Sequence, residues 1–138
     1  MRLEQTIPAL PVRDVATGVD FYRDRLGFGV LHHDDGFAVL ARDAAEVHLW
    51  QAGDDAWRER SDLRERPVRS GGESFLAGTA SCRISVDDVD GLYAEYRGTG
   101  VLHRVSLDGV SETDFGTREF AAVDLDGNLL SFFRWVSR

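Results

Sequence analysis

The chain repeats itself, and the repeat limits its fold more than any other feature. The segment Leu10-Pro11-Val12-Arg13-Asp14-Val15 returns as Ile84-Ser85-Val86-Asp87-Asp88-Val89, an apolar alternation ending in Asp and Val. Each copy reads as a strand running into a helix, with Asp14 or Asp88 placed to cap it by accepting from otherwise unpaired backbone N–H groups. Apolar positions then recur at helical spacing, at Val15, Val19, Tyr22 and Leu26 and again at Val89, Leu92, Tyr93 and Tyr96. Gly27 and Gly100 stop the two helices.

A second correspondence closes each half. Phe37-Ala38-Val39-Leu40-Ala41-Arg42-Asp43 parallels Phe120-Ala121-Ala122-Val123-Asp124-Leu125-Asp126, and each leads through a turn to a final apolar strand, Val47–Trp50 or Leu129–Phe133. In the turn Asp126-Gly127-Asn128, both Gly and Asn tolerate the positive φ that tight hairpins need. The sequence thus predicts two strand-helix-strand-strand-strand units in an α+β fold, at about 5–52 and 79–136, within one domain spanning 1–138. The segment 53–78, rich in Arg and Glu and containing Gly71-Gly72, is expected to be an exposed connector. Its Trp57 would either anchor that connector to the core or line a pocket.

Composition narrows the partners. Sixteen basic residues against 24 acidic ones give a formal charge of −8, a field that repels nucleic acid and weakly attracts cations. No apolar run is long enough to cross a bilayer, so no membrane role is expected. With no secretory pattern at Met1–Gln5 and one unpaired Cys82, a cytoplasmic location is expected. No phosphate-cradling loop is present, because Gly71-Gly72 lacks the accompanying Lys. The adjacent His32 and His33 would point to opposite faces of a strand, and His103 has no companion at ligand spacing.

The stretch Leu10–Phe28, with Val12-Arg13-Asp14-Val15, Phe21-Tyr22 and Leu26-Gly27-Phe28, resembles the opening of glyoxalase-like (vicinal oxygen chelate) superfamily modules. Asp124-Leu125-Asp126-Gly127-Asn128-Leu129-Leu130 resembles their closing turn and last strand. The resemblance implies paired βαβββ modules, each a cupped mixed sheet around a pocket. It also implies four metal-ligand positions in the enzymes of the superfamily, one on the first and one on the last strand of each module. Here these fall on Ile7, His48, Ser81 and Ser131, of which His48 alone is a strong donor, and a slip of one residue restores no site. Glu46 is two residues away from His48.

The expectation is therefore a protein without a metal or other cofactor, resembling the bleomycin-resistance branch, which sequesters a cationic aromatic drug between two subunits and does not transform it. The rival expectations are a metal-dependent lyase, isomerase or dioxygenase of the same superfamily, or a pocket protein for another metabolite. By resemblance, Phe115-Gly116 would stack on the ligand from one side and Phe37 from the other, with Asp34, Asp35, Glu112 and Asp114 facing a cationic tail. Each has a plainer alternative: Phe37 as a core residue, and Asp34-Asp35 as a solvated turn. Trp50 and His48 lie together on a last strand, and alternation is expected to put one inside the cup and the other outside. The resemblance further implies a homodimer with exchange of the N-terminal strand, for which Ile7–Val12 offers an apolar edge.

Overall fold

The computed structural model describes residues 1–53, 59, 61–62, 64–65 and 77–136, so Trp57 and most of the connector lie outside the described residues. The first module contains β1 (Ala9–Val12), α1 (Val15–Arg25), β2 (Gly29–His33), β3 (Phe37–Arg42) and β4 (Ala45–Gln51). The second contains β5 (Ser81–Ser85), α2 (Val89–Thr99), a 3-10 turn at Arg104–Ser106, β6 (Ser111–Glu112), β7 (Thr117–Val123) and β8 (Leu129–Trp135). The sheets have the same order, β1-β4-β3-β2 and β5-β8-β7-β6. In both, the first strand runs parallel to the last and the remaining neighbours are antiparallel. The α+β fold and its duplication are as the repeat predicts.

Asp14 accepts from the Thr17 N–H at 3.0 Å and Asp88 from the Gly91 N–H at 2.9 Å, so both expected caps form. Gly100 ends α2 in the left-handed region at φ 73°, and Gly27, one residue past the α1 cap Leu26, sits at φ 79°. Helix α1 buries Val15, Val19, Tyr22 and Leu26 against the first sheet. On α2, Val89 and Tyr96 are buried, while Leu92 and Tyr93 are only partly covered.

Period-2 alternation divides each sheet into two faces. Leu10, Val12, Ala38, Leu40, Val47 and Leu49 form the helix-side face of the first sheet, and Phe120, Ala122, Leu130 and Phe132 that of the second. Among the described residues, no helix covers the opposite face of either sheet. β1 is shorter than the expected Ile7–Val12, and its edge is used by the chain's own β4, with Ala9 opposite His48. Ile7 precedes the strand, and residues 1–6 are exposed.

The modules are joined by a buried polar cluster. Tyr22 donates its hydroxyl to Asp124 at 2.9 Å, and Asn128 donates Nδ2 to both Asp124 and the Pro11 carbonyl at 2.8 Å. The other oxygen of Asp124 accepts the backbone N–H groups of Asp126 and Asn128, each at 2.9 Å. Asp126 in turn takes the Arg13 backbone N–H and Nε, both at 2.9 Å. Gly127 alone supplies the positive φ of this turn, at 102°. Asn128, which could tolerate such a φ, does not adopt it, and its amide bridges the modules.

Burial raises the Asp124 carboxyl above its ordinary range, outweighing the hydrogen bonds that lower it, and burial beside that carboxylate pushes the Tyr22 hydroxyl far upward. Removing the Tyr22 donor should expose the cost of an under-satisfied buried carboxylate. Tyr22→Phe is expected to lose about 1–3 kcal/mol in urea unfolding at neutral pH; a loss within error of zero would show the cluster is not holding the modules. The sign of the pH dependence follows from the raised folded value. Asp124 contributes fully below the unfolded value of about 4, and its contribution declines as pH rises through the folded value. Asp124→Asn should abolish that declining component while lowering stability, because an amide NH2 would meet the Asn128 NH2.

Candidate functional site

The open face of the first sheet carries a ring cluster built by register. Phe37 on β3 lies opposite Trp50 on β4, and Val39 lies opposite His48. The Phe37 ring centroid is 4.9 Å from Trp50, 5.1 Å from His48 and 5.8 Å from His32 of β2. Phe37 is thus neither in the helix-side core nor isolated; it is the centre of an aromatic floor. His48 and Trp50 are two residues apart and share this face, so the expectation that alternation separates them is corrected: a period of two returns a side chain to the same side. Trp50, 46 % exposed, is not packed against the helix.

Two carboxylates tie down the imidazoles. His48 Nε2 lies 2.8 Å from Glu46, and His32 Nε2 lies 2.8 Å from Asp34. Asp34 also accepts the Gly36 N–H at 2.9 Å, closing the β2–β3 turn, and the His32 contact followed by this bond holds its carboxyl below the usual range. Asp34 therefore has a structural task as well as an acidic surface, whereas Asp35 is simply exposed. Glu46 completes the floor. Sequence reasoning left it aside as two removed from His48, yet that same spacing is what puts both side chains on one face.

The open face of the second sheet is different in chemistry. Register corrects the second sequence correspondence by one residue: Ser131 is the counterpart of His48, Phe133 that of Trp50, and Glu119, in place of Phe120, that of Phe37. Arg83 reaches Glu119 at 2.9 Å and the Ser131 hydroxyl at 3.0 Å, and its guanidinium sits 4.5 Å from the Phe133 ring centroid. The Arg83 bond, ahead of a second bond from Thr117, keeps the Glu119 carboxyl below its ordinary range. At one end of this sheet, Asp114 and Phe115 form a turn in which Phe115 is 58 % exposed and Gly116 adopts φ 94°. Glu112 on β6 lies 3.7 Å from Arg118. The structure thus puts Phe37, His48, Trp50 and Asp34 together on the first sheet, and Phe115, Gly116 and Asp114 apart from them on the second.

The four enzyme-type ligand positions do not fit a metal. Ile7 and Ser131 supply no strong donor, Ser81 is a neutral hydroxyl at the start of β5, and His48 is engaged by Glu46. Among the described residues, no three His, Cys, Asp or Glu side chains converge as a metal-holding group. Cys82 is half-buried on the core side, and burial pushes its thiol up to about 11, so it is not a ready nucleophile. A cleft of about 500 Å3 lies between the modules near Arg42 and Tyr96.

The sequence profile of the Glyoxalase/Bleomycin resistance protein/Dioxygenase superfamily matches residues 3–132. The chain belongs to this superfamily. Among its relatives in that superfamily are the bleomycin resistance protein of Geobacillus stearothermophilus, 47% identical over 132 residues, covering 96% of this chain and 97% of that protein. A bleomycin resistance protein of Klebsiella pneumoniae is 28% identical, covering 92% of this chain and 89% of that protein. Of solved superfamily structures, the bleomycin-binding protein of Streptomyces verticillus, complexed with copper(II)-bleomycin, superposes with a TM-score of 0.67 at 26% identity, covering 96% of each chain. The fold expected from the repeat is shared with that solved structure.

The division into faces makes a direct contrast. Leu49→Ala, on the helix side, should cost about 2–5 kcal/mol in denaturant unfolding. Phe37→Ala, one position away across the β3–β4 ladder but on the open face, should cost less than about half as much. Equal losses would place Phe37 in the core after all.

Proposed function

We propose that this protein binds a cationic, heteroaromatic glycopeptide of the bleomycin type and releases it unchanged, so that resistance arises by sequestration. The observation that carries this reading is the ring-lined open face of the first sheet, its imidazoles each engaged by a carboxylate, in a chain with a 47%-identical bleomycin resistance protein among its relatives. Flat heterocycles stacked on such rings gain about 0.5–1.5 kcal/mol per pair beyond the area they bury. The net charge of −8 and the exposed carboxylates of Asp35, Glu112 and Asp114 favour a positively charged ligand tail.

Phe37 and Phe115 occupy different sheets, so a sandwich between them would be completed across two copies of the chain. The active unit in this reading is a homodimer with two equivalent crevices, working in the cytoplasm, with Trp57 as a further ligand contact. Each crevice takes Phe37, His48 and Trp50 as one wall and the Phe115-Gly116 turn as the other. Asp34 and Asp35 would border the first wall and Asp114 the second. Sequestration requires roughly micromolar affinity or tighter, about −8 kcal/mol.

A metal-dependent lyase, isomerase or dioxygenase is the alternative from the same superfamily. The pairing of His48 with Glu46 is what speaks for it, and the Ile7, Ser81 and Ser131 positions are what speak against it.

Titration of tryptophan fluorescence with bleomycin, metal-free and copper-loaded, tests the reading. Saturable binding at micromolar concentrations is expected, weakened roughly fivefold by Phe115→Ala and by Phe37→Ala, or about 1 kcal/mol each. Binding unchanged within about twofold in both variants would remove the stacking model. A stoichiometric divalent ion in the purified protein, lost in His48→Ala, would favour the enzyme.

A further inference from the structure

The internal repeat lets the two open faces be compared position by position, and one charged pair on the second has no counterpart on the first. Arg83 on β5 lies opposite Ser131, as Ala9 on β1 lies opposite His48, so Arg83 answers to Ala9 and Glu119 to Phe37. The first sheet forms with Ala and Phe at these positions. An ion pair there is not something the strand-helix-strand-strand-strand unit needs in order to fold, and partly exposed ion pairs add little stability.

The pair is nevertheless held firmly. The Arg83 guanidinium lies 4.5 Å from the Phe133 ring centroid and donates to the Ser131 hydroxyl at 3.0 Å and to Glu119 Oε2 at 2.9 Å. Glu119 Oε2 also accepts the hydroxyl of Thr117 at 2.7 Å, and Thr117 is fully buried. That hydroxyl lies 2.7 Å from the one on Thr113, whose N–H donates to the Thr117 carbonyl at 2.8 Å across the turn that carries Phe115. One frame therefore fixes both the charged pair and the exposed ring. Its bonding capacity is not used up. Among the described residues, Glu119 Oε1 has a single contact, at 3.4 Å from Arg83 Nη1, while Arg83 Nε and the second hydrogen of Nη2 meet no acceptor.

We propose that Arg83 and Glu119 form a subsite for a primary carboxamide of the ligand, with Arg83 donating to the amide oxygen and Glu119 Oε1 accepting from the amide NH2. The proposal rests on the sequestration reading and names which part of a glycopeptide the second wall holds. A carboxamide presents an acceptor and a donor side by side without net charge, which is the complement of an N–H donor set beside a carboxylate. A ligand carboxylate would meet Glu119, whose carboxyl the Arg83 bond holds below its ordinary range, and a ligand ammonium would meet Arg83. Neutralisation by Glu119 also makes an arginine on this wall compatible with a cationic ligand, whose charged tail goes to Glu112 and Asp114 instead. Because Thr113 and Thr117 already order the pair, little conformational entropy is lost when the amide docks.

The probes are bleomycin and derivatives of it in which one primary carboxamide at a time is hydrolysed to the carboxylate, titrated against the full chain by tryptophan fluorescence. The wild type is expected to bind one derivative at least about tenfold more weakly than bleomycin, and Glu119→Gln, which removes the repulsion, to bring that ratio within about threefold. A purely structural pair would change both affinities together and leave the ratio alone. Arg83→Lys keeps the charge and loses the planar fork, and should weaken bleomycin at least about fivefold. In nitrogen-15 spectra the Arg83 Nε–H signal, identified by its absence in Arg83→Lys, should shift and exchange more slowly with water once metal-free bleomycin saturates the protein. Failure of the wild type to bind bleomycin would overturn the sequestration reading and this subsite with it. Binding without preference among the derivatives, a ratio unchanged in Glu119→Gln, full affinity in Arg83→Lys or an unmoved Nε–H signal would each overturn the subsite alone.

Discussion

The arrangement of the two sheets depends on one carboxylate kept out of water. Asp124 is buried between modules, and its four donors come from a helix of one module and the turn of the other. A carboxylate in that position is costly unless every lone pair is met, so the geometry that satisfies it is narrowly defined. Meeting it requires the turn to lie against Tyr22 and Pro11, and this fixes how the second module sits on the first. The related junction solves the same problem with the charge reversed: Arg42 takes the carboxylate's place beside Tyr96 and is neutralised by Glu95. Two tyrosines at repeated positions thus serve two opposite charges. The exposed rim of the second junction makes it the weaker of the two, since partly solvated ion pairs contribute little.

Much of this was legible in the chain. The caps Asp14 and Asp88, the glycines past each helix and the apolar periods define the units because they act locally, within a turn of helix or two steps of strand. The bridging role of Asn128 was not legible, for the opposite reason. Its value comes from Pro11, 117 residues away, and no local pattern distinguishes an Asn that needs positive φ from one whose amide bridges modules. The ring cluster was half visible. Phe37, His48 and Trp50 were each singled out, but their convergence needs the β3–β4 register, which sets Phe37 opposite Trp50 and a diagonal step from His48. Glu46 was named and left aside, although its spacing from His48 contained the contact. The connector with Trp57 lies outside the described residues, and its expected role stays with the proposal.

The duplication also explains why one chain presents two kinds of open face. Corresponding positions keep their direction, set by the pleat, while their chemistry has diverged: Phe37 and Trp50 on one sheet answer to Glu119 and Phe133 on the other, and His48 answers to Ser131. One face offers rings braced by carboxylates. The other offers an arginine held between a carboxylate, a hydroxyl and a ring, flanked by the exposed Phe115 turn.

In the proposed reading a wall of this kind recognises by shape, stacking and charge, and among the described residues no three His, Cys, Asp or Glu side chains converge as metal-assisted chemistry requires. Holding a ligand unchanged asks less of a site than transforming it. Transformation needs groups whose interaction strengthens as the transition state forms, while sequestration needs affinity in the ground state alone. The two imidazoles of the first face fit the lesser demand. Each is already engaged by a neighbouring carboxylate, His48 by Glu46 and His32 by Asp34, which holds the ring in place beside Phe37. Their contribution is then to the rigidity of an aromatic floor, and a floor ordered before the ligand arrives gives up less conformational entropy on binding.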